Sequence, residues 1–368
     1  MIFDFREHKC KEITEMFKKL LCLFLIIMLW MSGIDVKTVL IGTTSSVFVV
    51  YVVVPLFWHY STTLQRQLIF LNYVRIPLFF NLEQPEKKGL PGTRTFFLET
   101  EKNVKVGVWH VLPESLVSSA PKKDAPNCTQ WFEKSLSDSR PVVLYLHGNA
   151  GTRAIPHRVE LYDLLRKMDY HVIAFDYRGY GDSSFVHVSE NGVVQDAKAV
   201  YRYLKEKVGS SPLFLWGHSL GTGISTHALR DLCLDGERPS GLVLESPFNN
   251  MKEEVKSCFL TAIFRRMPKF DWLFLSRLAE IGAAFRTDEH IAYVNAPIII
   301  LHALNDCMVP FELGQKLFKT AKGERPQTLP PIKFVEFDAK YGHDYICRAP
   351  DLPQIIREFF REALEGKK

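Results

Sequence analysis

Short apolar runs alternate with stretches of helical periodicity over the C-terminal two thirds of the chain. The runs at 142–146, 172–175, 213–216, 242–244, 298–301 and 334–337 read as strands. Each is continuous rather than alternating, as strands covered on both faces must be. Amphipathic stretches at 159–168, 193–207, 222–234 and 352–364 read as the helices between and after them. Earlier, 95–98 and 104–111 have strand character around a Glu101-Lys102-Asn103 turn. The pattern predicts an α/β fold of about eight mostly parallel strands flanked by helices.

The first sixty residues follow another pattern. An apolar run at 20–31 comes after Lys18 and Lys19, and 39–58 holds twenty residues without a charge, ending at Trp58-His59-Tyr60. Twenty such residues match a hydrocarbon core about 30 Å thick, so 39–58 is the expected membrane span. If it alone spans, the preceding lysines favour a cytoplasmic N-terminus and a lumenal C-terminal domain. If 20–31 also spans, or is a cleaved signal, the domain faces the cytosol. The sequon Asn127-Cys128-Thr129 is usable only on the lumenal side and favours the first arrangement.

This divides the chain into a membrane anchor over 1–60, a linker over 61–92 and a catalytic domain over 93–368. Residues 113–140 form a polar insertion, expected as a surface loop. Between the strands at 242–244 and 298–301 lies far more chain than a βα connection needs. Its segment 251–286 mixes Phe259, Phe264, Phe270, Trp272 and Phe274 with Arg265, Arg266 and Lys269. Two readings stand: helices packed on the sheet, or a lid shaping an apolar pocket.

Composition narrows the function. With 47% hydrophobic and 24% charged residues the chain is globular, and a net charge of +5 carries no basic stripe suited to nucleic acid. The seven cysteines are scattered, with no C-x-x-C or other metal-ligand spacing, so neither a metal nor another cofactor is expected. Cys10 and Cys22 near the membrane segment read as ordinary free thiols, with acylation as the alternative.

The chemistry gathers where strands end, since open parallel sheets bind ligands beyond their carboxyl ends. The strand 213–216 runs into Gly217-His218-Ser219-Leu220-Gly221 and then a helix, the context in which G-x-S-x-G makes a nucleophile. Strand 298–301 is followed by Asp306, and 334–337 by a loop holding His343. Ser219, Asp306 and His343 then stand in the chain order of a Ser–acid–His hydrolase. A serine hydroxyl needs a base to take its proton, His343 is that base, and Asp306 orients it. The backbone N–H groups of Leu220 and Asn149 are the expected oxyanion donors. Asp344, adjacent to His343, is the weaker alternative acid. His218 is expected to pack beside the turn and His302 to cap its strand. Asp176, Arg178 and Asp182 read as a turn-stabilising polar set.

Several long strings resemble the membrane-bound lipases of the α/β-hydrolase superfamily across residues 68–365. They are Leu146-His147-Gly148-Asn149-Ala150-Gly151-Thr152-Arg153, then His157-Arg158-Val159-Glu160-Leu161-Tyr162, Phe175-Asp176-Tyr177-Arg178-Gly179, Trp216 through Gly223, and Leu244-Glu245-Ser246-Pro247-Phe248. The resemblance implies a serine lipase acting on monoacylglycerols and lysophospholipids of the lysophosphatidylserine type. It also implies an endoplasmic-reticulum membrane protein with a lumenal, glycosylated catalytic domain, for which Asn127 is the sequon at hand. Its serine, aspartate and histidine fall on Ser219, Asp306 and His343. The two apolar runs near the N-terminus and the neighbourhoods Asn305-Asp306-Cys307 and Tyr341-Gly342-His343-Asp344 depart from the family pattern. Competing expectations are a cytosolic acyl-protein thioesterase and a catalytically silent interaction module; the complete Ser219, Asp306 and His343 set counts against the second.

Overall fold

The computed structural model describes residues 36–78 and 80–366. The run at 20–31 and the lysines around it lie outside the described residues. The chain divides into two units, residues 1–60 and 61–368. In the first, the described part is a helix, and Lys37–Tyr60 is long and apolar enough to cross a membrane. Length and composition alone make it a candidate span. It takes one π-helical turn at Val49–Val53, just before Pro55. A proline there has no N–H to bond the carbonyl four residues back and crowds it, and a wider turn relieves both.

The second unit is built on an eight-stranded sheet in the order β1-β2-β4-β3-β5-β6-β7-β8. The strands are β1 Arg94–Glu101, β2 Val104–Val111, β3 Val142–Leu146, β4 His171–Phe175, β5 Leu213–His218, β6 Gly241–Glu245, β7 Ile298–Ala303 and β8 Ile332–Phe337. β2 runs antiparallel to both β1 and β4, and the remaining pairs are parallel. Every residue of β3 to β7 is buried, which is why those runs carry no polar alternation. Five helices matter for the site: α1 Pro156–Lys167, α2 Glu190–Lys207, α3 Leu220–Leu234, α4 Phe311–Glu324 and α5 Leu352–Glu365. Helices α1 and α5 supply Tyr162, Leu165, Ile356 and Phe360 to a core shared with Val143, Phe214, Trp216 and Ile299 of the sheet. Helices α2, α3 and α4 pack with the other face. The chain leaves β3 toward β4 on one side and β5 toward β6 on the other, so a crevice opens between the ends of β3 and β5.

Residues 61–92 pack with the larger unit: Phe70 and Leu90 have no exposed surface, and the Phe70 ring meets Phe285 at 5.9 Å. The insertion at 113–140 is more than a loop. It holds a helix, Cys128–Ser135, anchored by buried Phe132 and Leu136. The segment 251–286 holds short helices, Met251–Ser257 and Phe270–Phe274 among them. Phe264, Phe270 and Phe274 stack on one another, at 5.1 Å and 5.0 Å, while Phe259, Leu260 and Ile263 are exposed.

Candidate active site

Ser219 stands between β5 and α3 with φ 52° and ψ −118°. A non-glycine residue holds such angles only when its surroundings over-determine them. The flanking glycines make the close packing possible. A Cβ on Gly221 would lie 2.0 Å from the Leu146 carbonyl oxygen, and one on Gly217 would lie 2.5 Å from that of Gly221. The N–H of Ser219 donates to the Glu245 carbonyl at 2.9 Å, tying the turn to the end of β6.

Asp306 and His343 come together as expected. Nδ1 of His343 donates to Oδ2 of Asp306 at 2.7 Å. The other oxygen of Asp306 accepts the N–H groups of Met308 and Val309, both at 2.9 Å. Burial opposes the charge on Asp306, but hydrogen bonds from His302 and His343 hold its carboxyl far below the usual range. Burial likewise pulls the His343 pKa down, yet the bond and charge of Asp306 outweigh it and the net shift is upward. Among the described residues no hydrogen bond joins Ser219 Oγ to His343, so Nε2 is left free to take a proton once substrate closes the gap.

The lesser candidates sort themselves by geometry. Asp344 faces His157, 3.6 Å away, and leaves His343 Nδ1 to Asp306. His218 does more than pack: its Nε2 donates to the His343 carbonyl at 3.0 Å, and the two rings lie 4.9 Å apart. His302 sits beneath the acid, with Nε2 3.0 Å from the Val309 carbonyl and 3.3 Å from Asp306. The polar set at 176–182 is split: Asp176 and Asp182 pair with Arg153, whereas Arg178 pairs with Asp196 and Glu101. Arg153 was hidden from sequence reasoning because its partners lie more than twenty residues away.

The N–H groups of Leu220 and Asn149 have no acceptor among the described residues, as oxyanion donors require. Gly148 lies against the nucleophile, and a Cβ there would come 3.1 Å from that of Ser219. The Asn149 side chain is not idle: its amide donates to the Ile69 carbonyl at 2.6 Å and its oxygen accepts the Ala150 N–H at 2.9 Å.

Residues 141–280 match the family model of the alpha/beta hydrolase fold. Lysophosphatidylserine lipase ABHD12 of Danio rerio is 42% identical over 314 residues, covering 85% of this chain and 81% of that protein. The Gallus gallus protein of the same name is 45% identical over 312 residues, covering 84% and 81%. The chain belongs to the ABHD12 family. The family assignment and the fold make it a carboxylic-ester hydrolase. Among solved structures, the alpha-beta hydrolase from Vibrio vulnificus overlays with a TM-score of 0.58 at 19% identity, covering 81% of this chain and 92% of that one. That likeness speaks to the fold alone.

Two clusters in this ABHD12-family chain have the donors to hold a metal ion: His157, His218 and Asp344, and Glu190, His227 and His290. Both are partly engaged already, His218 with the His343 carbonyl and His227 with Glu190 at 2.8 Å. A cavity of about 820 Å³ is lined by Glu190, His227 and His290, and none of Ser219, Asp306 and His343 borders it.

Proposed function

We propose that the chain is a membrane-anchored serine hydrolase that cleaves the acyl ester of lysophospholipids of the lysophosphatidylserine type and of monoacylglycerols. The observation that carries the reading is the bonded Asp306–His343 pair beside a strained serine, with two acceptor-free N–H groups at the same strand ends.

In this reading Ser219 Oγ attacks the ester carbonyl while Nε2 of His343 takes its proton. The oxygen of the tetrahedral intermediate gathers negative charge and accepts from the N–H groups of Leu220 and Asn149. Collapse breaks the bond to the alcohol, which takes the proton back from His343 and leaves as glycerol or, from a lysophospholipid, as the glycerol phosphodiester of its head group. Water, deprotonated by the same imidazole, then releases the fatty acid and restores Ser219. Asp306 keeps Nδ1 protonated throughout, so Nε2 is the nitrogen that takes up and returns the proton in both halves of the reaction.

Ser219→Ala removes fluorophosphonate labelling and hydrolysis of a monoacylglycerol in membranes carrying the protein. Labelling that persists in that variant refutes the assignment. The catalytic domain is proposed to face the lumen of the endoplasmic reticulum. Asn127 and Thr129 are exposed, so the sequon is open to modification. A glycosidase-sensitive mobility shift lost in Asn127→Gln supports that sidedness, and a chain never glycosylated in cells points to the cytosol.

A further inference from the structure

An N–H serves an oxyanion only if its peptide plane is held still. In a trans peptide the carbonyl and the following N–H point in opposite directions, so gripping one aims the other. The Gly148 carbonyl is gripped twice, by Nη2 of Arg158 at 2.9 Å and by Nδ1 of His147 at 2.7 Å. The N–H on the other side of that peptide belongs to Asn149.

Arg158 holds the rest of the loop as well. Nη2 also reaches the carbonyls of Asn149 at 3.2 Å and Ala150 at 3.0 Å, and Nη1 that of Thr152 at 2.8 Å. The side chain is 1% exposed. Among the described residues no carboxylate stands within ion-pairing distance of it. Burying a guanidinium against carbonyl dipoles alone is expensive, and an apolar residue would fill the space at less cost.

From the opposite side the loop is held by the chain that follows the apolar helix. Asn149 Nδ2 donates to the Ile69 carbonyl at 2.6 Å, the Gly151 N–H to that of Val74 at 2.6 Å and the Thr152 N–H to that of Ile76 at 2.9 Å. The loop needs both grips, because Ala150 at φ 59° and Gly151 at φ 63° are left-handed in succession.

The geometry points to Arg158 as the positioning residue of the oxyanion hole, with residues 69–76 as the outer half of the same clamp. This rests on the ester-hydrolase reading above. It concerns how the Asn149 N–H is aimed, and Arg158 itself does not touch the reacting atoms.

The test is made on the full-length protein in detergent micelles, with Arg158→Lys and Arg158→Ala. Loss of an aimed oxyanion donor lowers kcat by about 10²-fold or more, while KM stays within about twofold. Affinity for a trifluoromethyl ketone, which forms an anionic tetrahedral adduct on the serine, weakens by the same factor as kcat. Added methylguanidinium restores part of the kcat of Arg158→Ala, and Arg158→Lys, which keeps the charge without the fork, falls between that variant and wild type. A role confined to packing would instead raise KM and lower Tm together, with no rescue. A folded variant with kcat within about threefold of wild type overturns the assignment, as does failure of both variants to fold. Wild-type protein that fluorophosphonate does not label at Ser219 refutes the hydrolase reading. Labelled protein with unaffected Arg158 variants refutes only the clamp.

Discussion

Replacing Asp306 by asparagine asks whether its charge or merely its shape serves His343. The surroundings dictate how the new amide would sit. The N–H groups of Met308 and Val309 both donate to Oδ1, so the amide oxygen takes that place and the NH₂ group takes the place of Oδ2. That NH₂ would then face Nδ1 of His343 across the present 2.7 Å contact. Two N–H groups cannot face each other, so the imidazole moves its proton to Nε2, the atom that has to accept from Ser219. Asp306→Asn thus holds His343 in the wrong tautomer with little change of shape. The same substitution in a Ser-His-Asp enzyme costs about 10⁴-fold in kcat, or about 5.4 kcal/mol of transition-state stabilisation. KM and Tm should hardly move, since both backbone bonds to Oδ1 survive. Initial rates on a monoacylglycerol, the rate of fluorophosphonate labelling and a melting curve together decide the matter. A folded Asp306→Asn protein within about tenfold of wild type would refute the orienting role. Asp344→Asn, in the same assays, should keep most of the activity, because Asp344 faces His157.

Other outcomes follow from the same geometry. His343 must be neutral to act as a base, and its pKa is raised, so kcat/KM should fall on acidification with a midpoint above about 6.5. In Asp306→Asn that midpoint should move down, because burial alone lowers the pKa; an unchanged acid limb would assign it to another group. Burial pushes the Glu254 carboxyl up to about 8, with His343 and Asp306 as its charged neighbours. Near pH 7 it is protonated and resembles an amide, so Glu254→Gln should be close to wild type there, and a severe loss of activity would show that its charge is used. Burial also pushes Glu245 up to about 7 from an ordinary value near 4.5. The unfolded chain releases that proton first, so stability declines as pH rises through this window, and Glu245→Gln should flatten the decline of Tm between about pH 4.5 and 7. Gly221→Ala sets a methyl group 2.0 Å from a backbone oxygen that cannot move aside. It should cost at least about 1–3 kcal/mol and abolish labelling, as read by Tm and the fluorophosphonate probe.

The sheet was legible because five central strands are apolar on both faces, and that signal survives without any knowledge of partners. The elbow and Asp306 were legible because each closely follows such a strand, and His343 because it lies in the loop after β8, the half-buried edge strand. What escaped notice escaped for reasons of chemistry. The helix α4 was not read as one, although Leu313, Leu317 and Ala321 mark its buried side. The helix Cys128–Ser135 buries only Phe132, too little to stand out from a polar insertion. Residues 61–92 read as a linker because Pro77 and Pro85 interrupt them, yet they bury Phe70 and Leu90 and lend the site backbone carbonyls. A carbonyl is present at every position, so no residue type announces that those of Ile69, Val74 and Ile76 will be used. Arg158 sits in an amphipathic helix as any surface arginine would, and only its loop partners reveal that it is buried.

The aromatic stack inside the 251–286 segment bears on how a lipid ester would reach Ser219. Phe264, Phe270 and Phe274 satisfy one another, so the segment carries a small core of its own. A flap that borrowed its apolar contacts from the sheet would expose them whenever it swung away, and opening would be penalised in proportion. Here those contacts would travel with the segment. Its C-terminal end is anchored by both kinds of contact: the buried Phe285 ring meets Phe70 at 5.9 Å and Phe248 at 6.5 Å, and the Glu190 carboxylate, bonded to His227, accepts the Phe285 N–H at 2.8 Å. Were the segment to move, the stacked rings would stay undisturbed and the cost of opening would fall on the Phe285 anchor, so the cost would be concentrated at one end instead of being spread along the segment.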